Sequence, residues 1–167
     1  MDQFDILYKE LAHRCPTLEL RVREPMSRHT SFRIGGPAAL MALPRTEEEA
    51  AAALRTAHEV GVEPFFLGNG SNLLVPDEGV ERFLMKAASG LDNCRMEGNT
   101  LRAGAGVTLA RLSVLARDGG LTGLEFASGI PGTLGGAVTM NAGPTAGRWP
   151  KLSAPSPVWT GRESGRP

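Results

Sequence analysis

Phe4, Leu7, Tyr8 and Leu11 recur three and four residues apart, the spacing of one helix face, and predict an amphipathic helix that ends before Pro16. Leu20-Arg21-Val22-Arg23 reads as a short extended piece. A second helix begins after Pro44-Arg45: Thr46 can cap it, Glu49 can close a capping box, and Glu47, Glu48 and Glu49 meet the positive end of its dipole. It runs from Ala50 to Val60 and Gly61 ends it. Pro64-Phe65-Phe66-Leu67 and Asn72-Leu73-Leu74-Val75 are short apolar runs with the look of buried strands, so the turn Gly68-Asn69-Gly70-Ser71 is expected between two strands. Val80–Lys86 and Asn99–Ala103 suit further strands, and Thr108 can cap a helix through Leu109, Leu112 and Leu115 to Gly119-Gly120. The order of elements is α+β, without regular βαβ alternation or an internal repeat.

Composition narrows this further. The 21 Gly and 12 Pro make about a fifth of the 167 residues, without a collagen-like period. With 41% hydrophobic residues and 22% charged, the chain can bury one core and is not a disordered polyampholyte. Eighteen basic residues balance eighteen acidic ones, which removes the electrostatic footprint of a nucleic-acid binder. No apolar run approaches the ~20 residues that cross a bilayer, so neither nucleic acid nor membrane is an expected partner, and no protein partner is evident. The acidic start Met1-Asp2-Gln3-Phe4-Asp5 lacks the basic and apolar regions of a signal peptide, and the expected location is cytoplasmic. Cys15 and Cys94 are far apart, without a Cys-x-x-Cys pair, and read as free thiols; no metal site is expected. His13 and His58 read as surface histidines on helices.

Three glycine clusters carry the chemistry: Gly68-Asn69-Gly70-Ser71-Asn72, Gly104-Ala105-Gly106, and Ser128-Gly129-Ile130-Pro131-Gly132-Thr133-Leu134-Gly135-Gly136. Each removes Cβ atoms where backbone N–H groups could meet a ligand, and Ser and Asn add donors for phosphate oxygens; any one cluster, taken alone, is more simply a tight turn with φ > 0. Neither nucleotide-binding fingerprint fits. No Gly-Lys-Ser/Thr follows the first turn, and Gly68-Asn69-Gly70 lacks a third glycine at the required spacing. Gly132, Gly135 and Gly136 are expected inside a helix ending Ala137–Asn141, where each costs roughly 1 kcal/mol against Ala. Either a planar ligand or another backbone comes close there. No charged residue occurs from Ala127 to Gly147, which suits a flat, apolar ligand.

Three stretches, in order, resemble one enzyme family. They are His29-Thr30-Ser31-Phe32-Arg33-Ile34-Gly35-Gly36-Pro37-Ala38, then Leu67–Val75, then Gly123-Leu124-Glu125-Phe126-Ala127 through Met140-Asn141-Ala142-Gly143. Together they are similar to UDP-N-acetylenolpyruvoylglucosamine reductase, with His29 standing where that family more often has Asn. The resemblance runs from about the first helix to Gly143. It implies an FAD-binding domain of the PCMH, or vanillyl-alcohol-oxidase-like, type: two small α+β subdomains with the flavin extended between them, C-terminally truncated here. It divides the chain into an N-terminal helix at 1–18, a partial FAD-binding domain at 19–143 and a tail at 144–167. By the same resemblance, Gly68, Asn69, Gly70, Ser71 and Asn72 hold the pyrophosphate, while Ser128, Gly129, Ile130, Pro131, Gly132, Gly135, Gly136, Asn141 and Gly143 border the flavin ring. Arg33 is the basic residue to suspect near the flavin or its phosphates, or it forms a surface salt bridge.

The family passes hydride from NADPH through FAD to the enolpyruvyl double bond of UDP-N-acetylglucosamine enolpyruvate, making UDP-N-acetylmuramate for peptidoglycan. A trap for the enolate and a proton donor are needed beside the flavin. The family draws them from an Arg in a Tyr-Arg-x-Ser motif, a Ser and a Glu, all beyond its Asn-Ala-Gly segment. None of those motifs occurs here, so no catalytic residue is assigned, and Arg148, Ser153 and Glu163 receive no role. The substrate domain is expected to be missing as well.

The last 24 residues hold five Pro, both Trp, and four basic residues against Glu163 alone, without helical or alternating period. Where the family continues Ala-Tyr-Gly-Gly-Glu, this chain has Pro144-Thr145-Ala146-Gly147-Arg148-Trp149-Pro150. Coding DNA reading GCC TAC GGC GGG GAG ATG GCC, stripped of its first G, translates to those seven residues. A single-base deletion after Gly143 is the resulting hypothesis, against a genuine Pro-rich linker, and resequencing that finds no family-like frame downstream overturns it. Two alternatives to the reductase remain: another flavin oxidoreductase of the same fold acting on a hydroxy acid or alcohol, and an inactive FAD-binding fragment. The His29–Ala38 and Leu67–Val75 segments favour the cell-wall reductase over the other oxidoreductases.

Overall fold

A computed structural model of the chain describes residues 2–87 and 90–143. Helix α1 (Gln3–Arg14) starts where Asp2 accepts the N–H groups of Phe4 and Asp5 at 2.6 and 3.0 Å, and Asp5 returns the bond to Asp2. Leu7 and Leu11 are wholly buried, while Tyr8 stays at the rim. Helix α2 (Glu47–Val60) is capped by Thr46, whose Oγ1 accepts the Glu49 N–H at 3.2 Å, and ends at Gly61 in the left-handed region, φ +79°. The expected capping box does not close. The largely buried Glu49 carboxylate instead accepts the Arg45 N–H at 2.7 Å and the Thr17 hydroxyl at 2.8 Å, because burial leaves it these two donors and ties the helix start to the end of α1. Arg14 pairs with Glu59 across the two helices.

Strands β1 (Glu19–Pro25), β2 (Pro37–Leu43), β3 (Pro64–Leu67) and β4 (Val80–Lys86) form one sheet in the order β1-β2-β4-β3. β1 runs antiparallel to β2; β2 and β3 both run parallel to β4. The inner strand β2 is one of two strands that the hydrophobic pattern leaves unassigned, the later strand Cys94–Glu97 being the other. β2 is buried on both faces, so Ala38 to Leu43 show no alternation. Leu40, Ala42, Phe83 and Met85 pack under α1 and α2, and Met26, Met41, Leu43, Leu67, Val75 and Leu84 make a second core. Full burial of a side chain such as Phe83 contributes about 1.5–3 kcal/mol.

The expected strand Asn72–Val75 does not form. Val75 is buried and Leu74 is exposed, as in a strand, but no ladder includes this segment, and its continuation Pro76 has no N–H to donate. Gly68–Asn72 therefore joins β3 to an unpaired extended segment.

The second unit holds the hairpin β5 (Cys94–Glu97) and β6 (Thr100–Ala103), helix α3 (Leu109–Asp118) and the short helix α4 (Leu134–Met140). Thr108 and Thr133 cap the two helices through their hydroxyls. Leu109, Ala127 and Ala137 form the core, flanked by Phe126, Ile130 and Leu134. Gly132 precedes the Thr133 cap and so lies outside α4, contrary to expectation; Gly135 and Gly136 lie within it. The tail at 144–167, with its frameshift reading, lies outside the described residues.

Candidate functional site

The Gly68–Asn72 loop leaves the carboxyl end of β3, where Leu67 pairs with Lys86 at the carboxyl end of β4. In open sheets with parallel strands, that end is where ligand crevices form. Ser71 crosses to the other unit: its Oγ donates to the Pro131 carbonyl at 2.8 Å. A Cβ on Gly68 would collide with the Thr133 hydroxyl, and one on Gly132 would sit 3.5 Å from Ser71 Oγ. The first and third glycine clusters, about 60 residues apart in sequence, thus meet along one seam.

Among the described residues, the N–H groups of Gly68, Asn69, Gly70, Ser71 and Asn72 donate to no protein acceptor, nor do those of Gly129 and Gly132. Gly70 is buried in the loop, so its N–H is an orphan donor of the kind that an anion satisfies. Gly129 has no atom within 4 Å of where a Cβ would stand. Absent side chains here leave space open beside free donors.

The second cluster behaves differently. Gly104 and Gly106 donate to the carbonyls of Asn93 and Leu91 at 2.8 and 2.7 Å, so the protein itself consumes the donors that could have served a ligand. Ala105 accepts the Gly135 N–H at 2.9 Å, and a Cβ on Gly135 would stand 2.8 Å from that of Ala105. Gly135 is therefore explained by backbone packing, the bland alternative for this position. Gly136 is exposed, with its N–H on the Thr133 hydroxyl. Ser128 is exposed and spends its hydroxyl proton on the Glu125 carbonyl at 2.8 Å. Ile130 turns partly into the core. Asn141 ends α4 in the left-handed region, φ +48°, and Gly143 follows it. At 1.5 Å per residue, α4 puts Asn141 about 12 Å from its Thr133 cap.

Beside the loop stands a buried polar group that the pattern did not reveal. His29, 7% exposed, lies between Glu24 Oε1, 2.9 Å from Nε2, and Lys86 Nζ, 2.9 Å from Nδ1. An ammonium can only donate, so Nδ1 accepts and the ring proton sits on Nε2, facing Glu24. Burial pushes the His29 ring below its ordinary range; the Glu24 hydrogen bond opposes this and the Lys86 charge adds to it. Burial likewise lowers Lys86, with Arg21 adding to the effect. Burial would raise Glu24, but hydrogen bonds from His29 and Arg21 win and hold it below the usual carboxylate range. A histidine in a loop motif carries no burial signal, which is why sequence could not place it. His13 and His58 are exposed, as expected. Arg33 is exposed with φ +56° and has no ion pair among the described residues, so the salt-bridge alternative finds no support. Phe32, Ile34 and Leu74 expose apolar side chains on the segments flanking the loop.

Free N–H donors, open glycine positions, apolar flanks and a third cluster without charged side chains fit a dinucleotide with a flat ring, so the donor set suits FAD. No group of His, Cys, Asp and Glu suited to a metal occurs among the described residues. A family model described as FAD binding domain matches residues 38–152. UDP-N-acetylenolpyruvoylglucosamine reductase of Alkaliphilus oremlandii is 45% identical over 140 residues, which cover 84% of this chain and 46% of that protein. The crystal structure of UDP-N-acetylenolpyruvylglucosamine reductase from Thermus caldophilus matches with a TM-score of 0.63 at 35% identity, over 78% of this chain and 45% of that one. Cholesterol oxidase from Brevibacterium sterolicum shares the fold alone, with a TM-score of 0.55 at 15% identity over 76% of this chain and 25% of its own. The chain spans about half the length of the curated relatives it matches. The chain belongs to the FAD binding domain family, and over the part that it spans its curated relatives are UDP-N-acetylenolpyruvoylglucosamine reductases.

Proposed function

We propose that this chain holds FAD along the seam between Gly68–Asn72 and Ser128–Gly136, as part of an NADPH-dependent reduction of UDP-N-acetylglucosamine enolpyruvate to UDP-N-acetylmuramate, a cytoplasmic step of peptidoglycan precursor synthesis. The observation that carries the reading is the Ser71 to Pro131 hydrogen bond, which joins two glycine loops whose N–H groups include orphan donors. FAD, when bound, supplies the hydride-accepting and hydride-donating ring. The residues of this chain bind and orient. Gly68 to Asn72 offer N–H groups to the pyrophosphate, and Ser71 fixes the spacing between the two loops. Gly129 and Gly132 would leave room for the ring with two further donors, and Asn141 and Gly143 would border it. The names of the relatives support the enolpyruvyl nucleotide as substrate; NADPH as hydride donor rests on the resemblance of the three motifs to the reductase family.

Titrating the purified 167-residue chain with FAD and following flavin fluorescence tests the binding role directly. Saturable one-to-one quenching is the expected outcome, and fluorescence that stays at its free value contradicts it. Adding the enolpyruvyl nucleotide and NADPH separates the readings further: consumption of NADPH supports the full reaction in this chain, and flavin binding without consumption assigns it binding alone.

A further inference from the structure

We propose that the buried line Glu24–His29–Lys86 is a positioning device for the dinucleotide loop: a neutral His29 holds Gly70 in place, and protonation of its ring releases it. The proposal rests on the flavin reading for its ligand, but its geometry does not. The same residue whose ring is clamped by Glu24 and Lys86 presses its carbonyl against Gly70, where a Cβ would overlap the His29 oxygen. Two residues on, the Ser31 N–H donates to the Gly70 carbonyl at 3.1 Å. Ring and loop are thus two ends of one short segment. Lys86 closes the circuit, because its strand position pairs with Leu67, the residue before the loop.

The charges facing His29 come from every packed element. β1 contributes Glu24 and Arg21, which also bonds Glu24 at 3.0 Å; the turn Met26–Arg28 contributes Arg28, 3.9 Å from the same carboxylate; β4 contributes Lys86. With the ring neutral, each hydrogen bond has one donor and one acceptor. With the ring protonated, Nδ1 becomes a donor facing an ammonium at 2.9 Å, and the Lys86 contact must break. Glu24, already satisfied by Arg21, retains the imidazolium, so the segment shifts toward β1 and away from the loop. Positioning is a role through Gly70; His29 itself touches no reacting atom.

Two measurements on the full 167-residue chain test this. In the ligand-free protein, the Gly70 and Ser31 amide shifts are followed with the His29 ring signals from pH 8 to 5. All three are expected to move with one midpoint, which rises in Lys86→Gln, where the opposing cation is gone; the amide titration vanishes in His29→Gln. In the second, FAD affinity of the wild-type chain falls about threefold between pH 7.5 and 5.5, short of the roughly tenfold ceiling for a histidine at its ordinary pKa, while His29→Gln shows no comparable fall. Amides that stay still while the ring titrates overturn the proposal, as does a His29→Gln variant with the wild-type affinity profile. Lys86→Gln keeps the ring and tests the same circuit should His29→Gln fold poorly. No FAD binding at any pH, with amides still titrating, overturns the flavin reading and leaves the coupling of ring to loop standing.

Discussion

Gly70 combines two demands that no other residue type meets: φ of +63° and no room for a Cβ, which would overlap the His29 carbonyl oxygen. A left-handed conformation costs an L-residue roughly 1–2 kcal/mol. Gly61, with φ +79° and open space around it, carries only that cost. Gly70→Ala is therefore expected to destabilise the chain by about 1–3 kcal/mol more than Gly61→Ala, the added cost of forced overlap, read by urea unfolding. Gly129 is the opposite case. With nothing within 4 Å, Gly129→Ala leaves unfolding unchanged but weakens FAD binding, because the added methyl enters the space assigned to the ring. The lowered His29 and Glu24 both make stability depend on pH in one direction. A neutral folded-state imidazole contributes stability that is present above about pH 6.5 and lost as pH falls through its lowered value; the Glu24 share is lost at lower pH still. The melting temperature is accordingly expected to fall from pH 7.5 to 5.5 in the wild type, and to fall less in His29→Gln. The glycine clusters were legible as residues of special conformation, but not which of them serve the fold: Gly104, Gly106 and Gly135 are accounted for by neighbouring backbone, and that is a long-range fact.

At the scale of elements, helix ends were the most legible feature, because capping is local chemistry. Thr46, Thr108 and Gly61 stand where the sequence placed them. Thr46→Ala, which removes the acceptor for the Glu49 N–H, is expected to cost about 1 kcal/mol in urea unfolding. A Thr46→Ser variant, which keeps the oxygen, should recover most of it. The strands were harder to read. β2 is hidden by its burial on both faces, and its Ala, Leu and Met content favours neither helix nor strand by period. Asn72–Val75 fails in the other direction: its alternation is real, but it adds no ladder to the open edge of β3, and Pro76 has no N–H to extend one. Glu49 obeyed the spacing of a capping box and still reached past it to Arg45.

Across the whole molecule, the α+β architecture brings two glycine loops together that are remote in sequence, and the Ser71 to Pro131 hydrogen bond marks where they meet. The motifs that identify the family lie in these loops and in the His29–Ala38 segment that supports one of them. Their chemistry was readable one by one; their meeting was not, because no local pattern encodes a contact between residues 71 and 131. The central claim is that the N–H groups along this seam that donate to no protein acceptor take FAD. A backbone-amide NMR titration of the 167-residue chain with FAD tests it most directly. The account predicts saturable shifts concentrated at Gly68–Asn72, Gly129 and Gly132, with Gly104 and Gly106, whose N–H groups are already bonded, nearly still. No saturable shift, or shifts centred away from these loops, would contradict it.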